Sequence, residues 1–165
     1  MSSNVAIVGF GGAGTSIIEK VACKLRKDIA TLYIVNDTTN IIKLRNVIFY
    51  EYCERRELVK ELLDYSWVIL TSGLGGRGGD SLVYVANKLD NVYAIFVVFP
   101  FSSERPRIFR AKNQLNKLKA KDRVFVEWLD DLPKIVPHLT LDLALGLMDR
   151  KIAIKIINSI RQLIL

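Results

Sequence analysis

The sequence predicts a three-layer α/β fold: a mainly parallel sheet with helices on both faces. Three observations carry that prediction. Apolar, β-branched runs alternate with amphipathic segments, as crossovers between parallel strands require. The central runs are apolar at nearly every position, as strands covered on both faces are. Nine of the ten glycines fall in two loops, Gly9-Phe-Gly11-Gly12-Ala13-Gly14 and Gly73-Leu-Gly75-Gly76-Arg77-Gly78-Gly79, each directly after such a run.

Asn4 to Gly9 reads as a first buried strand ended by glycine, followed by a helix from about Gly14 to Lys27 with Ile17, Ile18, Val21, Ala22 and Leu25 at helical spacing. Thr31 to Val35 is a second strand. It runs into Asn36-Asp37-Thr38-Thr39-Asn40, polar residues able to cap a short helix through Ile41 to Leu44. Val47 to Tyr50 is a short third strand, and Arg55 to Tyr65 a helix with Leu58, Leu62 and Leu63 inward. Trp67 to Thr71 feeds the second glycine loop, and Ser81 to Leu89 continues as helix. Val92 to Phe99 is a wholly apolar strand, Arg107 to Lys119 a basic amphipathic helix, and Val124 to Val126 a last strand. From Thr140 to Leu165 one long helical pattern is apolar over most of its girth, with Lys151, Lys155, Asn158 and Gln162 as its polar stripe; such a helix is normally covered on more than one side.

At 165 residues and 50% apolar content, the expectation is one domain over 1–165, ending in the long helix at about 139–165, with no second domain. The start of the chain does not read as a leader and no run is long enough to span a bilayer, so a cytoplasmic protein is expected. Cys23 and Cys53 lack metal or redox spacing and read as buried thiols rather than a disulfide. His138, the single histidine, lies near no nucleophile motif and reads as a loop or capping residue. The net charge of +7 invites a nucleic-acid reading, but no recognisable module accompanies it, and Lys112 to Arg123 reads as a solvated helix face, so nucleic acid is disfavoured as a partner. Only two glutamines accompany many Ile, Val, Lys and Arg, which agrees with a heat-adapted source.

The two loops carry the functional signal. Glycine lets backbone N–H groups close on an anion, and a helix after the loop adds its positive dipole end. Gly9-x-Gly11-x-x-Gly14 after a strand fits the Rossmann dinucleotide fingerprint, with Asp37 near where an acidic ribose ligand belongs. That reading leaves the denser second loop without a purpose, whereas two loops suggest a polyphosphate held from two sides.

The pair, in this order and separation, resembles the Rossmann-like nucleotide-binding domain of the tubulin and FtsZ superfamily over nearly the whole chain. Gly9 to Thr15 is similar to its opening phosphate loop, Val35-Asn36-Asp37 to the end of its second strand, and Ser72 to Asp80 to its signature glycine and threonine loop. Pro100-Phe101-Ser102-Ser103-Glu104 is similar to its Pro-Phe-x-x-Glu segment near the ribose, and Thr140 to Leu165 to its central helix, with Asp149 near the guanine. The resemblance implies a GTP or GDP site, with or without Mg2+, made by Gly11, Gly12, Ala13, Gly14, Thr15, Asn36, Asp37, Gly75, Gly76, Arg77, Gly78, Gly79, Asp80, Pro100, Glu104, Arg107 and Asp149.

Departures from the family pattern are specific. Arg77 replaces a signature glycine, and Gly78 and Asp80 replace threonines; Ser16 and Met148 stand at guanine-reading asparagines, and Ala144 at the aromatic that stacks on the base, which leaves the base open. Arg107 lies one residue short of the family's arginine, where this chain has Ile108. The superfamily's acidic catalytic loop follows the central helix, and the sequence stops at Leu165, so weak or no hydrolysis by this chain alone is expected, with no catalytic residue assigned. A homodimer or a protein partner on the C-terminal helix is expected from its apolar girth, and a link to cell division or cytoskeletal organisation is what the resemblance implies. Two other readings stay open: a dinucleotide-binding protein using the first loop alone, and a nucleotide-free interaction module.

Overall fold

The apolar runs form six strands, β1 (Val5–Phe10), β2 (Thr31–Asn36), β3 (Val47–Glu51), β4 (Trp67–Gly73), β5 (Val92–Phe99) and β6 (Val124–Trp128). They lie in one sheet ordered β3-β2-β1-β4-β5-β6 with every neighbouring pair parallel. This is a computed structural model that describes residues 4–37, 44–135, 138 and 140–165. Residues 41–43 of the short helix expected over Ile41 to Leu44, most of its capping cluster, and Leu139 at the expected start of the last helix lie outside the described residues; Leu44 itself is not helical.

Helices α1 (Gly11–Lys24) and α6 (Leu141–Ile164) cover one face of the sheet. The other face carries α2 (Arg55–Leu62), α3 (Arg77–Lys88) and α4 (Arg105–Asn116), and a single-turn α5 (Leu132–Ile135) follows β6. Strand alternation feeds both layers: Val5 and Ile7 point into the α1/α6 core, Ala6 and Val8 into the other. The strand order reverses between β1 and β4, which run side by side with Phe10 level with Ser72, so both glycine loops leave the sheet at its topological switch point. Crevices at that point, beyond the carboxyl ends of the strands, are where open α/β sheets hold ligands.

Several boundaries differ from the sequence reading. Helices α1 and α3 begin inside the glycine loops, at Gly11 and Arg77, rather than at Gly14 and Ser81. Leu63 falls just beyond the end of α2 and is 56% exposed, unlike the fully buried Leu58 and Leu62. Cys23 and Cys53 are free, as expected of thiols without a disulfide, but both are exposed rather than buried.

Helix α6 is capped by Thr140, whose hydroxyl accepts from Leu143 N. It docks through Ile152, Ile156 and Ile160, each no more than 1% exposed. Full burial of such a side chain contributes roughly 1.5–3 kcal/mol, so one stripe secures the helix without a second layer. Leu143, Leu147 and Ile154 accordingly stay exposed on its outer side. Part of its polar stripe is paired: Lys151 and Lys155, still partly exposed, both reach Glu127 of the edge strand β6. Burial pushes the Glu127 carboxyl up, but the hydrogen bonds from Lys155 and Lys151 outweigh it and hold the group below its ordinary range.

Candidate functional site

The two loops meet backbone to backbone. A Cβ on Gly9 would lie 2.3 Å from the Gly14 carbonyl oxygen, so only two bare backbones can pack α1 this tightly onto β1. Between the loops, a Cβ on Gly78 would lie 3.0 Å from Phe10 O and 3.1 Å from Gly11 Cα. At Gly12, by contrast, a Cβ would meet nothing within 4 Å. A groove of about 160 Å³ runs between the loops, lined by Gly11, Gly12, Ala13, Gly76, Arg77 and Gly78 among others.

This groove receives the first turns of α1 and α3 together. Their N-cap residues are Phe10 and Gly76, and neither helix has a side-chain cap. The first N–H groups of an α-helix have no partner within it and are ordinarily satisfied by a capping side chain, water or a ligand. Two uncapped positive dipole ends therefore face one slot, which suits a chain of anionic groups.

Beside the groove, and sharing Gly12, Ala13, Gly73 and Arg107 with it, lies a chamber of about 470 Å³. That volume is in the range of small-ligand sites. Ser16 and Lys20 of α1, Pro100 and Glu104 after β5, and Asp142, Met148 and Asp149 of α6 line it. Burial pushes the Asp149 carboxyl up to about 6, against the pull of Lys20 and with a further push from Glu19. Met148 is buried and Ala144 packs into the α1/α6 core.

Polar side chains brace both loops. Asn36, 4% exposed, donates to Thr15 Oγ1 at 3.1 Å and accepts Asp37 N at 2.8 Å, while Thr15 donates to Gly11 O at 2.7 Å. Asp37 accepts from Arg77 Nη1 with both oxygens, at 2.9 and 3.1 Å, and the guanidinium lies over the Tyr52 ring. This ion pair ties the strand β2 terminus to the second loop across the mouth of the groove. Glu104 accepts from Phe101 N at 3.1 Å and from Arg107 at 3.0 Å. Arg107, not its neighbour Ile108, faces the cleft; Ile108 packs into the α2–α4 core.

Seven expected site residues line neither groove nor chamber: Gly14, Thr15, Asn36 and Asp37 pack or brace the loops, and Gly75, Gly79 and Asp80 face Gln114 of α4. Asp80 turns to Arg110 and to Gln114, whose hydrogen bonds hold its carboxyl below the ordinary range despite the raising effect of burial. Gly79 lies under the Gln114 side chain, where a Cβ would sit 2.3 Å from its Oε1. Gly75, at φ +96°, a conformation glycine tolerates best, donates its N–H to Gln114 Oε1 at 2.7 Å. Gln114 also donates to Gly76 O at 3.0 Å, so a side chain absent from the sequence expectation clamps the second loop from behind. Its signal was in the chain: at helical spacing from the buried Ala111 and Leu118, Gln114 is a polar residue at a core position.

No family model matches the chain. Over 121 residues it is 36% identical to a protein of Archaeoglobus fulgidus described only as uncharacterized, covering 73% of this chain and 68% of that one. It is 35% identical over 101 residues to the cell division protein FtsZ 2 of Halobacterium salinarum, covering 58% of this chain and 26% of the relative. Among solved structures, the empty FtsZ dimer of M. jannaschii superposes with a TM-score of 0.79 at 25% identity, over 93% of this chain and 53% of that one. CetZ2 of Haloferax volcanii, solved as a GTPγS-bound protofilament, shares the fold, with a TM-score of 0.76 at 16% identity over 97% of this chain and 58% of that one. The chain thus spans about half the length of these two solved relatives and about a quarter of the curated FtsZ 2.

Proposed function

We propose that the chain, which shares the fold of FtsZ and CetZ2, is a member of the tubulin and FtsZ superfamily and that its cleft binds a guanine nucleotide, GTP or GDP, with the phosphates in the groove and the base in the adjoining chamber. The observation that carries this reading is the pair of uncapped helix N-termini facing one slot. In it, the backbone N–H groups of the first turns of α1 and α3 hold phosphate oxygens, and Arg107 adds charge at the junction of groove and chamber. Glu104 positions Arg107, and Asn36 with Thr15 holds the first loop in shape. Mg2+, where present, comes largely coordinated by phosphate and water. Asp37 stands at the groove mouth beside it.

Asp149 is assigned to the base. Its ionised carboxylate accepts hydrogen bonds from the N1–H and amino edge of guanine, which adenine and nicotinamide do not present in that arrangement. Since burial favours the protonated form of Asp149 and guanine needs the ionised one, binding competes with a proton below about pH 6. The sign for folding is opposite to that of a salt-bridged acid: the raised value makes the folded state lose stability as pH rises from the ordinary carboxylate range through about 6. Calorimetric titration with GDP, GTP, ATP and NAD tests the assignment. GDP and GTP should bind more tightly than ATP and NAD, and GDP about tenfold more weakly at pH 5 than at pH 7.5. Asp149→Asn should bind weakly and lose that component of the pH dependence. NAD binding more tightly than GDP contradicts the reading.

Turnover by these 165 residues is slow in this account. Among the described residues, the carboxylates nearest the groove are engaged, Asp37 by Arg77 and Glu104 by Arg107, and neither is free to orient a water. Hydrolysis at or below ~10⁻³ per second, the scale of an unassisted GTPase, is expected. The superfamily fold supports a cytoskeletal-type role, and we place the chain in division or cytoskeletal organisation. It self-associates through the exposed Leu143, Leu147 and Ile154 of α6. Sedimentation velocity should show a dimer that Leu147→Lys converts to monomer; a wild-type monomer at high concentration contradicts this.

A further inference from the structure

We propose that the outer face of α4 is a docking surface for an anionic lipid membrane. The charge of this chain is not spread evenly. Residues 105–123 hold eight of its 24 basic residues and one of its 17 acidic residues, so this segment carries the whole +7 and the remaining chain, with sixteen of each sign, is neutral. Within α4, Arg105, Phe109 and Lys112 fall on one side at spacings of four and three. Phe109 is 73% exposed, more than any other large apolar side chain except that of Leu165 among the described residues.

The basic groups divide into two sets. Arg107 and Arg110 are spent on Glu104 and Asp80, Lys121 on the Leu89 carbonyl, and Arg123 on the Tyr93 ring. Lys117, also exposed, adds its charge to the field at Asp80, whereas the side chains of Arg105, Lys112 and Lys119 are exposed and make no hydrogen bond or ion pair among the described residues. Asp122 is the only carboxylate in the segment.

An apolar anchor set among unpaired cations meets the two requirements for peripheral attachment to an anionic bilayer, insertion and charge attraction. Nucleic acid suits this face less well. Single strands are held in basic grooves whose aromatics stack successive bases, whereas one helix lying on a sheet offers a ridge, here with a single aromatic. A basic residue near an anionic leaflet raises partitioning roughly fivefold, so three together raise it about a hundredfold. The attachment is reversible and salt-sensitive.

Vesicle flotation of the full chain tests this, with vesicles one third phosphatidylglycerol in phosphatidylcholine against pure phosphatidylcholine. The wild type should float with the anionic vesicles at low salt, stay behind with neutral ones, and be released by salt. Phe109→Ala should weaken flotation about tenfold, and combined Arg105→Glu, Lys112→Glu and Lys119→Glu should abolish it. All these side chains are exposed and outside the nucleotide cleft, so thermal unfolding and GDP titration should match the wild type. Absent flotation of the wild type, whether or not these residues instead hold a single-stranded RNA, equal partitioning to both vesicle types, or flotation unchanged in the charge-reversed protein overturns the proposal.

Discussion

Replacing Gly12 with aspartate is expected to abolish nucleotide binding while the unfolding midpoint stays within a few degrees of wild type. Most glycines of the two loops cannot separate these effects. A Cβ at Gly9, Gly14 or Gly78 meets backbone atoms at 3.0 Å or less, so a substitution there loosens the fold and the site together. Gly12 differs, since a Cβ there meets nothing within 4 Å and the residue lines both groove and chamber. A carboxylate at that point faces the slot meant for phosphates. Two like charges 4 Å apart interact by about 4 kcal/mol at an effective dielectric near 20, close to three orders of magnitude in affinity. A loss of at least ~100-fold for GDP by calorimetry is therefore expected, with Gly12→Ala much closer to wild type. Unchanged binding by Gly12→Asp means that the phosphates, if bound, lie elsewhere.

Gln114→Ala is expected to produce the largest loss of stability of any single polar truncation near the cleft. The side chain is 3% exposed and satisfies Gly75 N, Gly76 O and Asp80 in one fork. Its removal leaves a buried donor and an acceptor of the second loop unpaired, at about 1–3 kcal/mol each where water cannot enter. A total near 2–4 kcal/mol lowers the midpoint of a domain of this size by about 5–15 °C. Gln114→Glu should do no better, because it gives up the amide donor to Gly76 O and sets a second carboxylate beside Asp80. The exposed Gln162→Ala should leave the midpoint unchanged. Differential scanning calorimetry of the three proteins decides this, and an unchanged Gln114→Ala midpoint removes the clamp from the account.

Strand and helix positions were legible because the hydrophobic period changes sharply between them. Val92 to Phe99, apolar throughout, matches β5 residue for residue. Both glycine loops were found at strand ends, and the parallel order places them side by side. The starts of α1 and α3 are not legible in the same way. Glycine is costly in helices, so Gly11 to Ala13 and Arg77 to Asp80 read as loop, whereas tight packing of bare backbone against β1 and between the loops makes those residues the first helical turns. Side-chain partnerships across the sheet were also hidden. Nothing local to Asp37 or Arg77 announces that they pair across forty positions of sequence, and Asp80 reads as a loop acid until Arg110 and Gln114 are brought up behind it by α4. Leu63 fits the helical spacing but stands outside the core, because one residue beyond a helix end a side chain leaves the helical face.

Native mass spectrometry of the purified wild-type chain tests most directly whether the paired loops grip a polyphosphate. Each chain should carry, or take up on addition of GDP, one nucleotide that is absent from Gly12→Asp. A wild-type chain that stays at its bare mass of 18.7 kDa in excess GDP and GTP contradicts this expectation.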